Sequence, residues 1–198
     1  MKKVIFSAII LASTALGAKA QTGSVLVGGD VDFKSITTPS GSNDIKQNII
    51  SFNPTIGYQF TDHITAGITG AVSSDKTTQG NVENKITGLS GGPFIRYAEE
   101  LSNIFSVYGQ LQATFGTNKN TSVAGPISTT SKSNSTSVDL FPAAFINLKN
   151  NFGLNFNFGG ISYNSVKPSG QKSTNTFDVN FGKVATIGIS KNFGGGKK

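Results

Sequence analysis

Residues 105–115 read Phe-Ser-Val-Tyr-Gly-Gln-Leu-Gln-Ala-Thr-Phe. Phe105, Val107, Leu111, Ala113 and Phe115 fall on one face, and Ser106, Tyr108, Gln110, Gln112 and Thr114 on the other. Strict alternation of this kind is the signature of a β-strand with two different environments on its two faces. The same period recurs along the chain. Val25, Val27, Val31 and Phe33 oppose Ser24, Asp30 and Asp32; Ile50, Phe52, Ile56, Tyr58 and Phe60 oppose Ser51, Asn53, Thr55 and Gln59. Further segments begin with Ile64, Leu89, Val138, Phe152 and Phe177, which makes eight predicted strands. In the sixth, Phe141 and Phe145 blur the pattern.

The connections alternate as well. Three are short (Thr61–His63, Ala98–Asn103 and Lys149–Asn151), and four are predicted to be long polar loops: Lys34–Gln47, Ser74–Asn84, Thr117–Thr136 and Asn164–Asn175. Eight antiparallel strands with tight turns at one end and long connections at the other describe an all-β, up-and-down barrel. The face opposite the apolar residues decides between water and lipid. A soluble sheet fills it with Lys and Glu, whereas here it holds Gly, Ser, Thr, Asn, Gln and isolated charges, as the filled interior of a narrow barrel does. The expectation is a transmembrane barrel.

Composition removes other classes. The 198 residues include 24 Gly, no Cys and one His, and charged residues make up 14%. Thiol chemistry, disulfides and Cys- or His-rich zinc sites are thereby excluded. The mean hydropathy of −0.08 and the lack of a long apolar run exclude helical membrane spans. Met1-Lys2-Lys3, the apolar stretch Val4–Leu16 and Ala18-Lys19-Ala20 have the layout of a secretory signal peptide, predicting cleavage after residue 20 and a mature start at Gln21. Without Lys2, Lys3 and Lys19 the net charge falls from +7 to +4, too dilute for a nucleic-acid footprint. The expected organisation is a signal peptide over 1–20, a barrel domain over 21–193 and a Gly/Lys tail over 194–198.

The signal peptide, the strand pattern and the stretch Gly91-Gly92-Pro93-Phe94-Ile95-Arg96-Tyr97, followed by Phe105-Ser106-Val107-Tyr108-Gly109-Gln110, resemble the small outer-membrane barrel proteins of the OmpA/OmpX type. The last strand resembles the signal read by the outer-membrane assembly machinery, with Thr186, Gly188 and Phe193 in the matching positions. It departs from that signal at Lys191, where an apolar residue is usual, and in the residues after Phe193. The resemblance implies residence in the cell outer membrane and a structural or surface-interaction role, with an extracellular partner it does not name.

Candidate sites are few. Acyl transfer to or from lipid A, the chemistry of some eight-stranded barrels, needs a nucleophile beside a base. The one histidine, His63, falls in the first short turn, away from an outer-leaflet substrate. No catalytic, cofactor or metal residue is assigned. A lipid-A-modifying enzyme and a secreted soluble barrel holding an apolar ligand remain the alternatives. Arg96, the sole Arg, is predicted to pair inside the barrel with at least one of Asp30, Asp32, Asp139 or Asp178, since a stranded buried charge is costly. Lys34, Lys46, Lys76, Lys119, Lys132, Lys167 and Lys172 lie in the predicted long loops against Asp44 and Asp75, a net +5. The short turns carry a net −2. Together with Lys183, placed near the outer interface where its side chain can snorkel, these loops are expected to contact lipopolysaccharide phosphates.

Overall fold

The computed structural model describes residues 22–41 and 43–194. The signal-peptide reading and residues 195–198 of the tail lie outside the described residues. Eight strands follow in chain order: β1 (Val25–Thr38), β2 (Ile45–Gln59), β3 (Ile64–Gln79), β4 (Val82–Glu100), β5 (Phe105–Ala124), β6 (Ile127–Lys149), β7 (Phe152–Pro168) and β8 (Thr174–Phe193). Each pairs antiparallel with the next, and β1 pairs with β8 to close the barrel. The expected all-β up-and-down topology is the observed one.

The four long polar loops are a correction. Most of each is strand. β5 and β6 stay in register to Ala124 opposite Ile127, leaving residues 125–126 as the turn. β3 and β4 pair to Gln79 opposite Val82. The other two connections span 39–44 and 169–173. The reason is physical: once both faces meet water, the apolar alternation vanishes, yet the backbone ladder continues through Ser, Thr and Asn. At the turn end, β6 and β7 are joined by Asn150 (φ 51°) and Asn151 (φ 57°). Two consecutive positive φ values make the type I′ turn, whose twist suits a two-residue hairpin and which Asn tolerates.

Side-chain polarity is inverted relative to a protein folded in water. Phe33 is 70% exposed, Leu89 63% and Phe177 68%, whereas Gln110 is 3% exposed. On β1 and β4 the outward apolar residues run Val25–Phe33 and Leu89–Tyr97, nine residues each, which is the length a tilted strand needs to cross a bilayer. Aromatic rings mark both edges of this band: Tyr58, Phe60 and Tyr97 towards the short turns, and Phe33, Phe115 and Phe177 towards the hairpins.

Two irregularities position the interior. Between Leu140 and Ala143 of β6 the register to β7 shifts, and Phe141 lines the lumen. Phe141 and Phe145 share the inward face of Asp139, and these two apolar residues among polar ones are what blurred the sixth strand's pattern. Between Asn157 and Gly159 the register of β7 to β8 shifts as well. Gly159 has φ 85°, and a Cβ there would run into the Asn180 carbonyl, so only glycine fits. The switch turns the outward set from Phe156 and Phe158 to Ile161 and Tyr163.

Candidate functional site

The interior is the first place to look for chemistry, because the narrow barrel aims the polar half of every strand into it. Register places Arg96 of β4 opposite Gln110 of β5. Its guanidinium donates to Gln110 Oε1 from Nε at 2.9 Å and from Nη2 at 2.7 Å. The same group lies 3.9 Å from the centroid of the Tyr108 ring and 5.8 Å from that of Phe94. Among the described residues Arg96 forms no ion pair with a carboxylate, which corrects the expected direct pairing. The acid is reached by relay: Gln110 Nε2 donates to Gln112 Oε1 at 2.9 Å, and Gln112 Nε2 to Asp139 Oδ2 at 3.3 Å. A glutamine bridges the gap because it accepts with its oxygen and donates onward with its nitrogen.

The other predicted acids separate. Asp30 accepts from Asn53 Nδ2 at 2.7 Å, and Asp139 also accepts from Ser137 Oγ at 2.9 Å. Asp178 stands across Ser162 of β7 from Asp139 and lines the lumen without touching Arg96. Asp32, between Val31 and Phe33, is exposed. Sequence reading missed Tyr108, Gln110 and Gln112 as Arg96's partners, although the alternation of residues 105–115 already put them on the interior face; the missing information was the β4–β5 register.

A second chain of bonds crosses the barrel. Tyr108 Oη donates to Asn155 Oδ1 at 3.1 Å, and Asn155 Nδ2 to Ser190 Oγ at 2.8 Å. Leu26, Arg96, Tyr108 and Ser190 border both internal cavities. One cavity, of about 530 Å³, lies towards the hairpins; the other, of about 130 Å³, lies towards the short turns. The larger one is of mixed lining, with Asp30, Asn53, Asp139 and Asp178 beside Leu26 and Phe141.

Of the assembly-signal residues, Thr186 and Gly188 line the lumen, while Phe193 stands opposite Val25 at the foot of the β1–β8 seam. Lys191, where the signal wants an apolar residue, places its Nζ 4.9 Å from the Phe193 ring centroid. The side chain of Lys183 lies outside the described residues. His63 sits in the first short turn, its Nδ1 3.1 Å from the Ala98 carbonyl and 3.3 Å from Glu99 Oε2, with its ring stacked on Tyr97. These contacts tie down a turn.

An inverted polarity with a polar, internally bonded lumen is the build of a barrel that faces lipid, and residues 4–188 match the family described as outer membrane protein beta-barrel domain. The chain belongs to that family. Among solved structures it is similar to the outer membrane protein Ail of Yersinia pestis in a phospholipid bilayer nanodisc, with 17% identity, a TM-score of 0.36, and coverage of 86% of this chain and 99% of that one. No curated protein matches it in sequence. As an outer-membrane barrel, it carries its apolar band against lipid and its hairpins beyond one face of the membrane.

Proposed function

We propose that this outer-membrane barrel is a closed, non-catalytic surface protein: it is exported by a signal peptide cleaved after residue 20, and it displays its four hairpins on the cell exterior. The observation that carries the reading is the cross-barrel layer of Leu26, Arg96, Tyr108, Asn155 and Ser190 between the two cavities. An eight-stranded barrel has room for side chains and little more, and here several of those side chains are bonded to one another across the lumen. The short turns then face the periplasm, as in other bacterial barrels. That orientation puts His63 on the side opposite an outer-leaflet lipid substrate, which is why the structural role is preferred to lipid-A modification. Thr186, Gly188 and Phe193 serve as the assembly signal in this reading, and phosphate-bearing outer-leaflet lipid is the barrel's immediate partner.

The orientation is tested by single-cysteine labelling, for which the chain, having no Cys, is already suited. In intact cells a membrane-impermeant maleimide should label Gly125→Cys and spare His63→Cys. Labelling at 63 with none at 125 would contradict the reading.

A further inference from the structure

Beyond the apolar band, the outward face of the hairpins follows a spacing rule. On β2 the last apolar residue of the band is Ile50 and the outward lysine is Lys46; on β3 the pair is Val72 and Lys76, on β4 Leu89 and Lys85, on β5 Phe115 and Lys119, and on β7 Tyr163 and Lys167. In all five the lysine lies four residues past the apolar one, with only Ser, Thr or Asn at the outward position between. On β6 the distance from Val138 to Lys132 is six residues. Six adjacent strands therefore each carry one outward lysine. At about 3.3 Å per residue and a tilt of about 40°, four residues place the amine about 10 Å above the band, at headgroup height.

Register brings some of these lysines together. Lys76 stands directly opposite Lys85, and Lys119 directly opposite Lys132. Like charges facing each other across a strand pair destabilise a sheet. The first pair is partly compensated, because Glu83 Oε2 lies 2.8 Å from Lys76 Nζ. The second is flanked by Thr87, Thr117, Thr121, Thr130 and Asn134, all neutral, and Lys167 stands opposite Asn134 on the next strand. Lys119 and Lys132 are both exposed. β1 and β8 carry no lysine at the corresponding positions, where Ser35, Thr37 and Asn175 stand instead.

We infer that the outward lysines of β2–β7 form a belt for the phosphate groups of outer-leaflet lipid, with Lys119 and Lys132 as a clamp that a bridging phosphate completes. The inference rests on the outer-membrane reading above and revises its list of lysines. Lys85 joins the belt. Lys34 has inward parity on β1, and Lys172 sits in the 169–173 connection, so neither belongs to it. A phosphate between two opposed amines turns their repulsion into attraction, and each lysine adds charge that draws an anionic surface within a Debye length. The belt covers the β2–β7 side of the barrel.

The test is residue-resolved acetylation of the lysines in the full barrel, read by mass spectrometry, in phosphatidylcholine vesicles with and without bisphosphorylated lipid A. A third arm adds inorganic phosphate to phosphatidylcholine vesicles. Lipid A should slow labelling of Lys85, Lys119, Lys132 and Lys167 about fivefold, and leave Lys172 unchanged; inorganic phosphate should do neither. As a second readout, Lys119→Gln/Lys132→Gln should unfold no earlier than the parent in phosphatidylcholine and should lose the gain in midpoint that lipid A gives the parent. Uniform labelling in an inserted barrel, equal protection of Lys172, or protection by free phosphate would overturn the belt alone. Failure to insert into either vesicle would overturn the membrane reading beneath it.

Discussion

Arg96 is held by neutral groups, two bonds to one glutamine oxygen and the face of Tyr108, with the nearest bonded carboxylate two glutamines away. This arrangement spares the cost of burying a second full charge while still satisfying the guanidinium. It also predicts which substitution hurts. Gln110→Leu strands the cation and should lower stability by about 1.5–3 kcal/mol, the usual range for hydrogen bonds to a charged group. Asp139→Asn should cost less than Gln110→Leu, and adding Arg96→Met to Gln110→Leu should recover part of the loss, because the orphaned charge is then gone. The chain has no Trp, so urea unfolding followed by circular dichroism is the suitable measurement. That Arg96 faces the interior was legible from alternation, since it shares a face with Phe94 of the same strand. Its partner was not, because pairing depends on register, and register is set by turn lengths that sequence locates only to within a residue or two.

At the scale of the strands, the apolar spans were legible and the hairpin extensions were not. Residues 128–137, Ser-Thr-Thr-Ser-Lys-Ser-Asn-Ser-Thr-Ser, have no apolar period, yet all lie within β6. Period-2 contrast requires two unlike environments, and above the membrane there is only one. The β-branched threonines were the remaining clue to extended backbone. The turns give a sharper test. Asn150 is exposed with φ 51°, so Asn150→Val should cost about 1–2 kcal/mol through the left-handed conformation alone, while Asn150→Gly should be close to neutral. At Gly159, Gly159→Ala should be more harmful than the φ of 85° alone implies, because its Cβ also meets the Asn180 carbonyl. Equal stability of Gly159→Ala and the parent would contradict the tight β7–β8 approach at this shift.

For the whole molecule, the organising fact is that large apolar side chains cover the outside and hydrogen-bonded polar ones fill the inside. Each Phe, Ile or Leu on that surface forgoes about 1.5–3 kcal/mol if left in water, so the fold is stable only with lipid or detergent around it. The layer across the lumen predicts electrical silence: in planar bilayers the barrel should show no steady conductance, and a sustained ohmic current would mean that Arg96 and Tyr108 do not close the passage. Whether the barrel folds closed in the outer membrane is read by fractionating cells and running the outer-membrane fraction on SDS gels with and without boiling. The protein should reside in that fraction and migrate as a compact band when unheated, shifting to its full-length mobility when boiled. Recovery in the soluble fraction without detergent, with one mobility in both samples, would contradict a closed barrel folded in the outer membrane.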